Sequence, residues 1–160
     1  MSCLEPRARY HGYDGAGDVA ELTAGFVQFV DLSVPLSLPR ADWVLCLEVG
    51  EHVPKALEDV LLDNIVSRAR RGIVLSWALP GQNGTGHVNE RSNNYVIGRM
   101  AKRRWTYRPH ASFVMREAAK FWWFRRTIMV FEPETIGGDW PPKFSFCSAN
   151  VATGHRVVPH

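Results

Sequence analysis

The chain has 160 residues, of which 46% are hydrophobic and 22% charged, with a formal net charge of +3. These values fit one globular domain with a core of its own and exclude a strongly basic or acidic tail protein. No run of about 18 apolar residues could span a membrane. Met1 to Arg7 lacks the apolar segment of a signal peptide. Cys3, Cys46 and Cys147 are odd in number, far apart and form no CxxC pair. The default expectation is therefore a reducing, intracellular and cytoplasmic setting.

Apolar, β-branched runs alternate with helical patterns along the chain, which predicts an α/β sheet. Arg9 to Tyr13 reads as a short first strand ending at Asp14 and Gly15. Phe26 to Val30 is a second strand, ending at Asp31. Trp43 to Leu47 is a continuous apolar run, as in a parallel strand buried on both faces, and it ends at Glu48. Within it Cys46 reads as a buried, inert thiol. Pro54 is expected as a first helical residue. Ala56, Leu57, Val60, Leu61, Ile65 and Val66 recur at helical spacing, and Gly72 is expected to end that helix. Ile73 to Trp77 is the next buried strand. Pro80 to Asn89, with three glycines, is a loop. Helices are expected over Asn93 to Lys102 and Ser112 to Phe121, the latter with Ser112 as N-cap. Thr127 to Phe131 is a final strand. Residues 1–136 form the domain, and 137–160 are expected to be a poorly ordered tail.

Asp14, Asp31 and Glu48 each stand at or just beyond the carboxyl end of an expected parallel strand. Ligands of open α/β sheets bind in the crevice outside those ends, where a carboxylate accepts hydrogen bonds from ribose hydroxyls or an adenine amino group. Turn residues at the same places are the plainer reading.

The stretch Asp42 to Pro54 (DWVLCLEVGEHVP) resembles the fourth-strand segment of class I S-adenosylmethionine-dependent methyltransferases, where an apolar strand runs into E-x-x-E-H-V/I-P and a helix. Tyr13-Asp14-Gly15 resembles the end of that family's second strand, Phe29 to Leu32 the third, and Gly72 to Trp77 the fifth; the resemblance covers residues 10–132. It implies a Rossmann-like, mostly parallel sheet with an antiparallel last strand. It also implies S-adenosylmethionine as cofactor and transfer of its methyl group to an acceptor. By the same resemblance Asp14 binds the cofactor ribose, Asp31 and Leu32 lie near the adenine, and Glu48 faces the methionine end or the acceptor. The family's first strand and its GxGxG loop have no counterpart before Tyr10, so the fold is expected to be N-terminally truncated. That strand lies between the second and fourth in the family sheet, so its loss leaves a central gap. Gly15-Ala16-Gly17 follows the second strand and does not replace the loop. A catalytically inactive fold serving as a binding or partner module is the alternative function. A nicotinamide enzyme is disfavoured by the lack of GxGxxG.

Glu48, Glu51 and His52 stand at i, i+3 and i+4, and His87 follows the neighbouring strand. Two carboxylates and two imidazoles suit a divalent metal. Ubiquinone-pathway O-methyltransferases and small-RNA 2′-O-methyltransferases resemble this chain in using E-x-x-E-H for such an ion. Many methyltransferases with a similar segment carry no metal, and His52 then only packs the helix start, the preferred reading here. His87 is also a candidate general base for a hydroxyl acceptor. Finally, Arg99, Lys102, Arg103, Arg104 and Arg108 surround Trp105 and Tyr107, with Arg125 and Arg126 further on. Such a cluster suits nucleic acid or, more simply, a solvated helix end.

Overall fold

The computed structural model describes residues 9–134; the expected tail at 137–160 lies outside the described residues. The strands form two sheets. β1 (Gly12–Asp14) and β2 (Val27–Phe29) pair in parallel around the short α1 (Val19–Leu22). β3 (Ala41–Leu47) runs parallel to β4 (Ala69–Ser76). β6 (Met129–Pro133) lies antiparallel to β4, and β5 (Trp105–Tyr107) antiparallel to β6, giving the order β3-β4-β6-β5. The α/β class, the mostly parallel sheet and the antiparallel last strand agree with expectation. The break between the two sheets falls between β1 and β3, where the resemblance places one further strand. The antiparallel β5 was not foreseen: Trp105-Thr106-Tyr107 is too short to show a period.

One face of the larger sheet carries α2 (Glu58–Arg68) and α3 (Asn93–Ala101). Leu61, Leu62 and Ile65 of α2 and Val96 and Met100 of α3 pack there with Cys46, Ile73, Leu75 and Phe131. The other face carries α4 (Pro109–Ala118) and α5 (Phe124–Thr127), which cover Val74 and Val130. No helix among the described residues is long and apolar enough to cross a membrane.

Several boundaries differ from the sequence reading. Gly72 does not end α2; the helix stops at Arg68 and Gly72 lies inside β4, opposite Trp43. A Cβ at Gly72 would fall 2.1 Å from the Trp43 ring, so glycine serves packing there, not helix termination. Pro54 has an extended ψ of 142° and precedes a 3-10 turn, Lys55–Leu57, before α2 begins. Ser112 is not an N-cap. Pro109 opens α4 at its first turn, where a missing N–H costs nothing. Ser112 is instead buried inside the helix, its hydroxyl donating to Arg108 O and accepting from Val130 N, which ties α4 to β6. β3 is not buried on both faces: Leu45 is 64% exposed.

The basic cluster is largely paired. Arg99 and Arg103 both bond Asp59, Arg103 also bonds Asp63, Arg104 meets Glu134 and Arg108 meets Glu132. The Asp59 and Asp63 pairs join the end of α3 and the turn after it to α2, and the Arg104 and Arg108 pairs join the residues flanking β5 to the end of β6; they lie mostly at the surface, where each contributes little alone.

Candidate functional site

β1, β2 and β3 all point their carboxyl ends toward one cavity of about 520 Å³. Asp14, Asp31, Leu32 and Glu48 line it, together with Tyr13, Val49 and His52. The small and large sheets thus supply opposite walls. Asp14 Oδ1 accepts from Ala16 N at 2.8 Å, and Asp31 Oδ1 accepts from Ser33 N at 2.8 Å and Ser33 Oγ at 2.6 Å. Each acid therefore shapes its own turn with one oxygen. The Ser33 hydroxyl, then the Ser33 amide, hold the Asp31 carboxyl below its usual range, so it stays ionised and an acceptor.

Asn64 joins the two walls. Its side chain, buried in α2, accepts from Leu36 N at 2.9 Å and donates to Leu32 O at 3.0 Å and Val34 O at 2.8 Å. Using oxygen and amide together, it fixes the segment after β2 onto the larger sheet. Sequence reasoning missed it, because an Asn within a helical pattern gives no signal of a partner about thirty residues away.

Glu48 ends β3 in the left-handed region, at φ 54°. A non-glycine residue there is uncommon and is kept only where its surroundings fix it. Here they do. Glu48 N donates to Ser76 Oγ at 2.9 Å, and its carboxylate accepts from Gln82 Nε2 at 2.9 Å and Thr127 Oγ1 at 3.4 Å. Glu48 thus lines the cavity from a strained backbone, with its carboxylate held by Gln82 and Thr127.

Beyond Glu48 the chain turns sharply. Gly50 lies against the buried Trp77 ring, and a Cβ would fall 2.4 Å from it. The 3-10 turn Gly50–His52 can form only because residue 50 has no side chain. It drives Glu51 inward, to 0% exposure, and leaves His52 outside. His52 is therefore not packed into the start of a helix as the sequence suggested; it lies exposed on a 3-10 turn that precedes α2. The loop after β4 returns onto this turn, Val88 N and Asn89 N both donating to Glu51 O. His87 thereby reaches Glu51, with Nε2 4.0 Å from Oε1, and its ring centroid is 5.0 Å from that of His52.

Of the four residues expected to converge, Glu51, His52 and His87 do so, each offering a ligand atom within 4.8 Å of the others. Glu48 stands outside that group. His87 is not among the cavity-lining residues. Burial pushes the Glu51 carboxyl up, assisted by the Glu48 charge. Main-chain groups of Glu51 and Ala78 and the neighbouring His52 draw it partly back. Burial, with the Glu51 charge second, also pushes the Cys46 thiol up to about 12, so Cys46 is inert as a nucleophile.

Two further residues were not anticipated. Glu90 accepts from Gly81 N, Asn83 N and His87 Nδ1 at 2.7, 3.0 and 3.0 Å, closing the glycine-rich loop on itself. The His87 bond is the main reason its carboxyl lies below the usual range. Glu58, buried in α2, accepts from Tyr95 OH, Asn89 Nδ2 and Arg91 Nε and anchors the far end of the loop.

No family model and no curated protein matches the chain. Solved structures do. A pericyclic reaction enzyme aligns with a TM-score of 0.53 at 14% identity, over 80% of this chain and 37% of that one. LepI in complex with S-adenosylmethionine gives the same values. Magnesium protoporphyrin IX methyltransferase from Synechocystis with bound S-adenosylmethionine aligns at a TM-score of 0.47 and 16% identity, over 76% of this chain and 57% of that one. The chain thus spans 37% of the length of the first two structures. The chain shares part of the fold of LepI, a structure solved with S-adenosylmethionine.

Proposed function

We propose that this chain is part, or a remnant, of an S-adenosylmethionine-dependent methyltransferase, and that the cavity between its two sheets takes the nucleoside end of the cofactor. The observation that carries the reading is the convergence of Asp14, Asp31 and Glu48 from separate strand ends onto one cavity. Each aspartate commits Oδ1 to its own turn and keeps a second oxygen for ribose hydroxyls or an adenine amino group. Leu32 offers an apolar surface beside the base, and Glu48 faces the sulfonium end. The donor set fits the nucleoside half of the cofactor. It does not fit the whole: Gly15 lines the cavity, but Gly15-Ala16-Gly17 follows β1, and the GxGxG loop that the resemblance places after a preceding strand, where the backbone approaches the cofactor closely, has no counterpart among the described residues.

When bound, the sulfonium supplies an activated methyl group, so the protein's task is alignment of the acceptor. Glu48, held by Gln82 and Thr127, is the residue placed to do this. The reading requires no metal.

The test is calorimetric titration with S-adenosylhomocysteine. The expected affinity is weaker than micromolar, and Asp14→Ala removes what binding there is, a charge-assisted acceptor being worth about 1.5–3 kcal/mol. An N-terminal fusion supplying a strand and GxGxG loop strengthens it. Micromolar binding by the chain alone, or binding indifferent to Asp14→Ala, sinks the reading.

A second reading rests on β3, which pairs with β4 alone among the described residues and carries the exposed Leu45. An open strand edge of this kind is a template for another strand. It favours a partner module that need not be active.

A further inference from the structure

Lys120 to Arg126 reads Lys-Phe-Trp-Trp-Phe-Arg-Arg and makes up the turn into α5 and most of α5 itself. Four adjacent aromatic residues would be expected to enter a core, but here they divide. Phe124 packs against the cluster of Val74, Ala111, Ile128 and Val130, and Trp123 is half-buried. Phe121 is 55% and Trp122 53% exposed. The exposed pair is held in place. Arg125 Nε donates to Ala119 O at 2.9 Å and Arg125 N to Phe121 O at 3.2 Å, which closes the turn. Arg126 N and Thr127 N both donate to Trp123 O at 2.9 Å. The Phe121 ring stacks on Trp123 with centroids 4.7 Å apart, and Trp122 meets Trp123 edge-on at 5.9 Å. α4, which leads into the turn, adds Phe113 and Val114, both exposed. Single exposed apolar residues are ordinary, but rings gathered on one ordered turn mark an interaction site.

The charge around these rings points to the partner. Lys120, Arg125 and Arg126 are exposed, and between Pro109 and Arg126 the only acid is Glu117. The cations near β5 are neutralised by Asp59, Asp63, Glu132 and Glu134, whereas Lys120, Arg125 and Arg126 make no ion pair among the described residues. Aromatic rings bracketed by unneutralised cations match the boundary of an anionic membrane. There Trp and Phe settle at the headgroup level, and Lys and Arg meet the lipid phosphates. A two-fold contact with a second copy through the same turn would instead set cations against cations. We propose that the turn between α4 and α5 docks on an anionic lipid surface, with Phe121 and Trp122 entering the headgroup boundary and Lys120, Arg125 and Arg126 meeting the lipid charges. Such binding lies in the plane of the surface and needs no spanning helix. It does not depend on S-adenosylmethionine.

The experiment is co-sedimentation of the full chain with vesicles of phosphatidylcholine alone or of equal parts phosphatidylcholine and phosphatidylserine. Binding to the mixed vesicles is expected, at least about tenfold weaker on phosphatidylcholine alone and weakened by added salt. The Phe121→Ser, Trp122→Ser double variant should lower binding to the mixed vesicles at least about tenfold. Both side chains are exposed, so the variant should keep the far-ultraviolet circular dichroism of the parent. Lys120→Glu and Lys102→Glu change the net charge equally, and both lysines are exposed. Lys120→Glu should weaken binding several-fold, and Lys102→Glu, at the end of α3, should leave it unchanged. No binding to the mixed vesicles, equal binding to both kinds, or equal losses in the two lysine variants overturns the proposal. So does binding that survives the double aromatic substitution. Sedimentation equilibrium without lipid provides a further check. A dimer of the parent chain that the same double substitution abolishes would assign the turn to a second copy and overturn the proposal as well.

Discussion

β3 and β4 lie side by side, parallel and in register from Trp43 opposite Gly72 to Leu47 opposite Ser76. In sequence both read as apolar runs of a doubly covered strand. In the fold they differ. β4 has a neighbour on each edge and helices on both faces, and Leu75 is 0% exposed. Among the described residues β3 has one neighbour, and Leu45 is 64% exposed. An apolar run records how completely a strand is meant to be covered, and β3 carries more apolar side chain than the described residues cover. Among the described residues the β1–β2 pair is likewise separate from the larger sheet, and acidic residues of both line the cavity.

Stability measurements can break or sharpen this contrast. Leu75→Ala should cost about 2–5 kcal/mol in denaturant unfolding, because a core cavity remains. Leu45→Ala should fall within about 0.5 kcal/mol of the parent. Equal costs would show that something covers β3 in solution. Gly50→Ala should cost about 1–3 kcal/mol by forcing a Cβ against Trp77, and it should displace Glu51 and His52 as well. A neutral Gly50→Ala would contradict the account of the turn.

Smaller effects follow from the polar groups between the walls. Asn64→Ala should destabilise by about 1–3 kcal/mol, leaving Leu36 N without its acceptor, and it should weaken ligand binding by freeing the segment that carries Asp31. Glu51→Gln should act in the opposite direction. The folded state raises the Glu51 pKa above its ordinary 4.5, so it binds more protons than the unfolded chain and loses stability as pH rises through that interval. In metal-free protein at neutral pH, Glu51→Gln should therefore stabilise, by about 1–3 kcal/mol. The gain should vanish near pH 4, where Glu51 is itself protonated. A pH-independent difference would remove burial of the charge as the cause.

The sheet, its direction and the acids at its strand ends were legible because strand periodicity and the DWVLCLEVGEHVP stretch are local signals. Helix ends were less so. Gly72 looked like a terminator but is a space for Trp43, a fact that depends on a residue of another strand. The backbone strain at Glu48, the clamp made by Asn64 and the loop closure by Glu90 are all set by contacts distant in sequence. Spacing alone grouped Glu48 with Glu51 and His52 as if on one helical face. The tight turn at Gly50 instead sends Glu51 inward and leaves Glu48 with Gln82.

The most direct test is to map S-adenosylhomocysteine onto the chain by amide chemical-shift perturbation, a measurement that also detects weak binding. The account predicts saturable shifts concentrated at Asp14 and Gly15, Asp31 to Ser33, and Glu48 and Val49, lost in an Asp14→Ala, Asp31→Ala double variant. Saturable shifts centred elsewhere, or none at millimolar ligand, would contradict it.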